Sequence, residues 1–578
     1  MSSSSALLAI FIVVVGIIAL VYKLYPTPYP GIPYNVESAK RIAGDIPDLI
    51  ALIQSSNEPT PSMFAITTRK LGSPIAQILF PGIRKPLIVL DDPREIEDIL
   101  TSRNKEFDKG PTSIGGLGPM FPHATLSQFA TPELKAQKRL WADVMGAEFL
   151  RKAAAPNVYK STLELIELWR LKASTVYKDH PFEAHDDFKN AAIDGIWVAV
   201  VGEEPGVMRH EIAKLEQQIS GTAALHSDAG LPPRGLFLKK EMAYVCDAFS
   251  RNMNNPFPKL ASMIETWTPR YRLFRRTVTT EVGVAMRKAV ERFRRIEATK
   301  ADDDEKKTLE SDDFDTCMMD LVLRRQLLAA KKAGRPPSDP TKDPSMLDEL
   351  LTMLFGGHDS TANALAWFVR YMELYPAVQD ELRAALRAVF NTNQPPYGDI
   401  LDTDIPYLSA TCEESLRFAN VARGNIRQAL VDTEILGHKI PKGAEVLLSF
   451  SVDHTPVPVD PSKRASGSRA AIDRHGDGFQ GSAGRDLSVF EPRRWLTTDN
   501  KTGKEVFNPY ALPFLAFGGG YRGCTGRKLA MMQFRMVVTL LILNLEFLEL
   551  PEKYKSMTAT EKMFRRPDLA YVRVRVLE

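Results

Sequence analysis

The residues best suited to chemistry lie in one short segment near the C-terminus, residues 517–526, which reads FGGGYRGCTG. An aromatic residue opens the segment, three glycines starting at Gly518 follow, and Arg522 stands shortly before Cys524. Glycine allows positive φ and a close approach of the backbone to a flat ligand. Arginine can bind a carboxylate, and the dipole of a following helix favours a cysteine thiolate. The segment therefore predicts a metal held by sulfur in a ligand that carries an anion.

Each part of this segment also has an ordinary interpretation, because a single cysteine is often a small buried side chain and a glycine run is often a loop. Taken together, the residues resemble the haem-binding signature of the cytochromes P-450, Phe-x-x-Gly-x-Arg-x-Cys-x-Gly. Its fixed places are filled by Phe517, Gly520, Arg522, Cys524 and Gly526. The resemblance implies that Cys524 is the axial ligand of the iron in haem b, that Arg522 binds a propionate, and that Phe517 and Gly518 contact the cofactor. A thiolate on haem iron favours O–O cleavage.

The composition is that of an ordinary globular protein, with 44% hydrophobic and 25% charged residues in 578. A net charge of +3 argues against a nucleic-acid binder that depends on charge. The four cysteines are far apart and form neither a CxxC pair nor zinc-ligand spacing. We therefore expect reduced thiols and one large catalytic unit, since neither a repeat nor a clear linker follows residue 35.

The N-terminus contains an uninterrupted apolar run over residues 6–22, followed by Lys23. The alternative is a cleaved signal peptide, but no positive charge precedes the run and no small-x-small cleavage site follows it. The run predicts a transmembrane anchor over residues 1–25, a proline-rich hinge over 26–34 and a catalytic domain over 35–578. Microsomal cytochromes P-450 share this layout, which implies a single-pass protein of the endoplasmic reticulum membrane whose catalytic domain faces the cytoplasm.

A long helix is predicted from the capping pair Asp343-Pro344 to Tyr375, a length of about 32 residues or roughly 48 Å. Two glycines in its middle precede Asp359, Ser360 and Thr361. They mark either a notch where another helix crosses, with the acid solvated, or an opening beside the haem.

This string, which reads GGHDST, resembles the family motif Ala/Gly-Gly-x-Asp/Glu-Thr-Thr, with Ser360 in the usual threonine place. The resemblance implies that Asp359, Ser360 and Thr361 manage protons during O–O cleavage. We expect His358 to pack or meet solvent rather than bind metal.

Two further motifs resemble family features. Glu414 and Arg417 are spaced for one helix face, and Arg494 follows in a Pro-x-Arg-aromatic segment. The resemblance implies a buried trio of these three residues that supports the haem segment without taking part in catalysis. Arg427, in a hairpin predicted over residues 421–446, matches an arginine that binds a propionate. Lys138 is a weaker match, because the family's Trp-x-x-x-Arg/Lys pattern has a leucine here in place of tryptophan, and a solvated surface lysine is the alternative.

The remaining pattern predicts strands over residues 75–80 and 86–90, a helix over 93–100 and a long loop over 110–132. We interpret the polar stretch 461–485 as a surface insertion without chemistry of its own. The predicted fold class is mainly α with small β-sheets (α+β), as in the cytochromes P-450.

The resemblance implies a haem-thiolate monooxygenase of the microsomal filamentous-fungal type, which inserts one oxygen atom from O2 into a hydrophobic organic substrate. By fold-level analogy the pathway is secondary metabolism of terpenoids or polyketides. No flavin or nicotinamide motif is present, so electrons are expected from NADPH-cytochrome P-450 reductase, with cytochrome b5 as a further candidate. The alternatives are a haem-thiolate isomerase or dehydratase acting on peroxides, and a non-catalytic haem-binding protein.

Overall fold

The structure is a computed structural model that describes residues 11–12, 14–16, 21–82, 84–221, 234–299, 315–336, 338–476 and 486–578. The α-helices of the first half are α1 (Val36–Ala39), α2 (Ile46–Ser56), α3 (Pro59–Phe64), α4 (Pro93–Thr101), α5 (Pro111–Leu117), α6 (Pro132–Leu140), α7 (Ala147–Phe149), α8 (Ala155–Ser174), α9 (His185–Val201), α10 (Val207–Ser220), α11 (Arg234–Met253), α12 (Pro258–Trp267) and α13 (Pro269–Thr299). Those of the second half are α14 (Met318–Lys332), α15 (Pro344–Leu374), α16 (Pro376–Arg387), α17 (Tyr397–Asp402), α18 (Pro406–Ala419), α19 (Ser466–His475) and α20 (Arg527–Asn544).

The β-strands are short and are divided among one larger sheet and several two-stranded ribbons. They are β1 (Ile75–Ile78), β2 (Leu87–Leu90), β3 (Phe107–Asp108), β4 (Phe182–Glu183), β5 (Gly424–Ala429), β6 (Thr433–Ile435), β7 (His438–Ile440), β8 (Glu445–Ser449), β9 (Leu496–Thr498), β10 (Glu505–Phe507), β11 (Leu545–Phe547), β12 (Ala559–Glu561), β13 (Arg565–Pro567), β14 (Tyr571–Val572) and β15 (Val574–Val576). The larger sheet has the order β1-β2-β8-β5-β3, with β2 and β8 parallel and its other neighbours antiparallel. The predicted class, mainly α with small sheets, is confirmed.

The long helix α15 spans 31 residues through the centre of the molecule, as its start signals predict. The Asp343 side chain accepts hydrogen bonds from the backbone N–H groups of Ser345 and Met346, at 2.9 and 3.3 Å. Most of its side chains are buried on all sides, because α9 crosses it and α20 packs nearby. Large aromatic side chains fill the core around it, including Trp169, Trp367, Phe368 and Phe534.

One prediction about a loop is wrong. The segment 110–132 contains α5 and a 3-10 turn at Thr125–Ser127, because α5 is held by packing against α12. Its Gly116 lies so close to Met253 that an added Cβ would stand 1.8 Å from the sulfur atom. In the stretch 461–485, predicted as a surface insertion, α19 forms and packs along α4, and residues 477–485 lie outside the described residues.

The predicted hinge contacts the catalytic unit directly. The Gln77 side chain on β1 donates to the carbonyl oxygens of Tyr29 and Ile32, both at 2.9 Å, and Ile32 is buried. Most of the predicted anchor, namely residues 1–10, 13 and 17–20, lies outside the described residues. Within the part of the chain that is described, no helix combines the length and apolar character needed to cross a membrane.

Candidate active site

The predicted haem segment forms a loop, which we call the haem loop (residues 517–526). It contains a 3-10 turn at Gly520–Arg522 and ends at the start of α20. Gly520 has a φ of +60°, and a Cβ there would stand 2.0 Å from the carbonyl oxygen of Leu100. Gly518 also has positive φ, at +63°. The glycines are therefore required for the turn and for contact with the C-terminal end of α4, in addition to any approach to a ligand.

Cys524 lies just before α20, and its backbone N–H donates to the carbonyl oxygen of Phe517 at 2.9 Å. It is exposed, whereas the other three cysteines are buried or half-buried. Surrounding protein nevertheless raises the pKa of the Cys524 thiol by desolvation, which outweighs the backbone N–H groups of Gly526 and Arg527 and the charge of Arg527. The helix start alone therefore does not produce the thiolate that the sequence suggested, and a bound metal cation would have to favour it.

Four cations, one of them in the haem loop itself, form a cluster. Arg522 forms a two-point ion pair with Asp108, and the Lys138 ammonium donates to the carbonyl oxygen of Tyr521 at 2.5 Å. The other two, Arg427 and Lys109, are buried. Burial raises the pKa of Asp108, but the hydrogen bonds from Arg522 and from nearby backbone more than offset it and hold that pKa low.

Among the residues that the structure describes, Arg427 and Lys109 have no anionic partner of their own. Arg427 donates to the amide oxygen of Asn425 and to the Ile426 carbonyl, and Lys109 donates to the Leu126 carbonyl at 2.6 Å. Within the described residues neither forms an ion pair. Burial lowers the pKa of Lys109 to about 7, and the nearby charges of Arg522 and Arg427 add to this effect. Burial also lowers the pKa of Arg427 to about 10, because the charge of Asp108 offsets it only in part and Arg522 adds to it.

An excess of buried positive charge is costly unless an anion neutralises it. A flat ligand with two carboxylates placed against the haem loop would supply that anion, so the donor set fits the propionates of haem. Asp108 and Lys109 are absent from the sequence predictions. The feature that could have identified them is the pairing of β3 with β5. In this pair Asp108 lies opposite Gln428, which is the residue after Arg427 in the chain.

The structure brings together the predicted supporting trio. Glu414 accepts two hydrogen bonds from Arg417, both 2.8 Å long, and one from Arg494 at 3.0 Å. Sequence reasoning missed a fourth member, since the indole N–H of Trp495 also donates to Glu414 at 2.9 Å. Burial raises the pKa of Glu414, but Arg417 and Arg494 outweigh it and hold that pKa below its usual value.

The acid and hydroxyls of α15 lie one turn beyond the glycine pair. The Ser360 hydroxyl donates to the Gly356 carbonyl at 2.8 Å, and the Thr361 hydroxyl donates to the Gly357 carbonyl at 3.0 Å. These bonds occupy carbonyls that helix N–H groups also use, which loosens a helix locally.

The two glycines have different surroundings. A Cβ on Gly357 would stand 2.7 Å from Ile196 of α9, so this glycine is a packing notch. A Cβ on Gly356 would meet nothing within 4 Å, so this glycine faces open space. His358 is buried, and its Nδ1 lies 3.0 Å from the Leu354 carbonyl oxygen, as a packed histidine would.

Asp359 faces a polar pocket of about 160 Å³, which lies between α9, α11 and the β12–β13 ribbon. Its carboxylate lies 3.7 Å from the ammonium of Lys189 and accepts a hydrogen bond from Asn363 at 3.3 Å. The side chain is mostly shielded from solvent rather than fully solvated. A carboxylate in this position can exchange protons with water in the pocket while staying beside the hydroxyl of Ser360.

Comparisons with known proteins agree with this geometry. The sequence profile of the cytochrome P-450 family matches residues 73–455 and 488–573. The chain is 31% identical to cytochrome P-450 monooxygenase xilC of Penicillium rubens over 562 residues, covering 95% of this chain and 92% of that protein. A cytochrome P-450 monooxygenase of Pestalotiopsis microspora is 29% identical over 596 residues, covering 100% and 99%. The crystal structure of the cytochrome P-450DA haem domain shares the fold, with a TM-score of 0.63, 16% identity, and coverage of 96% and 98%.

The chain belongs to the cytochrome P-450 family. It is a haem-thiolate monooxygenase of the filamentous-fungal type, and its cofactor is a haem ligated by cysteine. This confirms the predicted enzyme class and cofactor. The individual roles of Cys524, Asp359 and Ser360 remain predictions.

Proposed function

We propose that this monooxygenase oxidises a hydrophobic small molecule of fungal secondary metabolism, of the terpenoid or polyketide class. Support for an apolar substrate comes from the apolar side chains around α15 just before Gly356, the glycine that faces open space. Phe355 packs there against Phe121 and Phe249, with ring centroids 6.1 and 5.7 Å apart, and Met120 is buried in the same core cluster. Similarity to fungal monooxygenases supports the pathway assignment.

The haem, when bound through a cysteine thiolate, supplies the activation of oxygen. Cys524 would hold the iron, because it is the exposed cysteine and lies in the haem loop. Arg427, Arg522 and Lys109 would hold the propionates, and Lys138 would stand at the rim of the same cluster.

Proton supply is assigned to Asp359 and Ser360. Asp359 borders the polar pocket, and Ser360 lies next to it along the helix, on the side that carries Gly356. Lys189 holds the carboxylate of Asp359 at the pocket wall. In contrast to the sequence expectation that Thr361 also manages protons, we assign it a structural part, because it is buried and its hydroxyl donates to the Gly357 carbonyl.

We assign the protein to the endoplasmic reticulum membrane as a single-pass protein with its catalytic domain in the cytoplasm. The apolar run at residues 6–22 supports this assignment. So does an exposed apolar stripe on and beside α12, which suits a membrane surface. Its members, with exposed fractions in parentheses, are Phe257 (60%), Leu260 (55%), Ile264 (52%) and Trp267 (64%).

Electrons would come from NADPH-cytochrome P-450 reductase, with cytochrome b5 as a second donor, because the sequence contains no flavin or nicotinamide motif. The deciding experiment is expression of the full chain in microsomes with that reductase, followed by product analysis on a panel of apolar terpenoid and polyketide substrates. A product that gains one oxygen atom from labelled O2 and requires NADPH supports the proposal. Oxygen uptake that no member of the panel stimulates, or turnover without reductase, would contradict it.

A further inference from the structure

The inserted segment that contains α19 buries charged and polar side chains in addition to the apolar Ala471 and Leu487. Residues 456–487 lie outside the ranges that match the family profile. Among them Arg464, Ser468 and His475 are buried. Burying an ionic group costs free energy unless the group is paired. We therefore ask which partners these side chains contact and what those contacts hold in place.

Arg464 contacts the start of α4. Its Nη2 donates to Oδ2 of Asp92 at 2.5 Å and its Nη1 donates to Oδ1 at 3.2 Å, and both side chains are at most 1% exposed. Asp92 also caps α4 by accepting the backbone N–H groups of Arg94 and Glu95, each at 3.1 Å. Arg464 therefore holds the residue that fixes the N-terminus of α4.

The other end of α19 ties together α4 and the segment that leads into the haem loop. His475 Nε2 lies 2.6 Å from a carboxylate oxygen of Glu97, and its Nδ1 donates to the Tyr510 carbonyl at 2.8 Å. Between these two ends, a Cβ on Gly467 would stand 1.8 Å from the carboxylate of Asp98. The helix thus follows α4 closely from one end to the other.

The C-terminal end of α4 packs tightly against the haem loop. A Cβ on Gly519 would stand 3.3 Å from side-chain atoms of both Leu100 and Thr101, and Gly520 is closer still. Interiors packed this tightly transmit small shifts. A displacement of α4 would therefore move the loop that carries Arg522 and Cys524.

We propose that α19 is a brace that positions the haem loop through α4, with Arg464 as its positioning residue. The inference rests on the proposed role of Cys524 as the iron ligand. Residues that hydrogen-bond to metal ligands typically change metal affinity by 10–100-fold when they are replaced, and a residue that acts through a helix is expected at the lower end of that range. The brace is accordingly expected to act on haem retention and on the order of the loop.

The test uses the haem-loaded full chain and three variants: Arg464→Met, the pair Arg464→Met with Asp92→Asn, and His475→Gln. Arg464→Met alone leaves the buried carboxylate of Asp92 without this partner. The paired variant also removes that charge, and the new asparagine can still cap α4. Arg151→Met is the matched control, because Arg151 forms an exposed ion pair with Asp402. The readouts are the rate of haem transfer to excess apomyoglobin, amide hydrogen exchange, and the spectrum of the reduced, carbon monoxide-bound protein.

We expect haem transfer to be roughly tenfold faster in the single and paired Arg464 variants, and less affected in His475→Gln. Amides of residues 517–524 should exchange faster, while those in the middle of α20 stay unchanged. Haem-transfer rates equal to those of the control would contradict the brace. So would amide exchange that rises evenly throughout the molecule in the paired variant, and neither result bears on the assignment of Cys524. A wild type that lacks the band of sulfur-ligated iron would overturn the ligand assignment and the brace with it.

Discussion

Arg522 of the haem loop and Asp108 of β3 are joined by two hydrogen bonds, from Nε to Oδ1 at 2.6 Å and from Nη2 to Oδ2 at 2.8 Å. The side chains are only 6% and 7% exposed. The arginine that the family signature assigns to a propionate is thus already oriented by a carboxylate of the protein. Asp108 also raises the pKa values of two other buried cations of the cluster, Lys109 and Arg427, against the effect of burial.

The first prediction concerns this pair. Asp108→Asn leaves the neighbouring cations without their carboxylate, and loss of one partner of a buried pair costs about 3 kcal/mol or more. We expect that loss in the free energy of unfolding of the haem-free protein, and a smaller loss in the haem-loaded protein, where propionates compensate. Denaturant titration of both forms measures it, with Asp402→Asn as the control because Asp402 is exposed. Equal losses in both forms would show that no anionic ligand reaches the cluster.

The second prediction concerns pH and Lys109. A lysine in the unfolded chain has a pKa of about 10.4, whereas burial and the neighbouring arginines lower the pKa of Lys109 to about 7 in the folded protein. Between these values the unfolded chain holds a proton that the folded chain has released. Stability of the haem-free protein should therefore rise with pH in this window, by about 1.4 kcal/mol per pH unit from this group.

Bound propionates would restore the charge of Lys109, so the haem-loaded protein should lose this pH dependence. Lys109→Met should remove it from the haem-free protein as well. Unfolding curves collected from pH 7 to pH 10 check both expectations. A slope that persists in Lys109→Met would assign the dependence to another group.

The sequence predicts those elements whose signals are local. The start of α15 follows from Asp343-Pro344 and its end from Tyr375-Pro376, and the strands at 75–80 and 86–90 follow from their apolar runs. In contrast, α5 and α19 form in segments whose composition resembles loops, because distant partners hold them. The Arg464–Asp92 pair spans 372 positions, which no local pattern can indicate.

The same distinction applies to the site. Cys524, Arg522 and Glu414 are found from sequence because they belong to compact motifs with fixed spacing. Asp108 and Lys109 carry no such spacing, and only strand pairing places them beside Arg427. Physical proximity created by the sheet, rather than residue type, makes them candidates for cofactor binding.

The third prediction concerns the supporting trio. Glu414→Gln removes the charge that two arginines and the Trp495 indole contact in the interior, and we expect a loss of about 3–5 kcal/mol in the free energy of unfolding. Glu381→Gln is the control, because its partner Arg493 is half exposed. Thermal unfolding and haem content together report the effect. A loss no larger than that of the control would remove Glu414 from the scaffold.

The fourth prediction concerns Ser360. Ser360→Ala removes a hydroxyl next to Asp359 without filling new space, so folding should be little changed while proton delivery fails. We expect NADPH consumption to continue with a larger share of electrons released as hydrogen peroxide, and Ser360→Thr to couple at least as well as the wild type. Product, peroxide and NADPH are measured in the same reaction. Unchanged coupling in Ser360→Ala would exclude this hydroxyl from the mechanism.

The most direct measurement is the absorption spectrum of the reduced, carbon monoxide-bound protein, compared between wild type and Cys524→Ala. With Cys524 as the iron ligand, the wild type should show the band typical of sulfur-ligated iron and the variant should lose it. Cys412→Ala, which changes a buried cysteine, should keep the band. A wild type without the band, or a Cys524→Ala variant that retains it, would contradict the central claim.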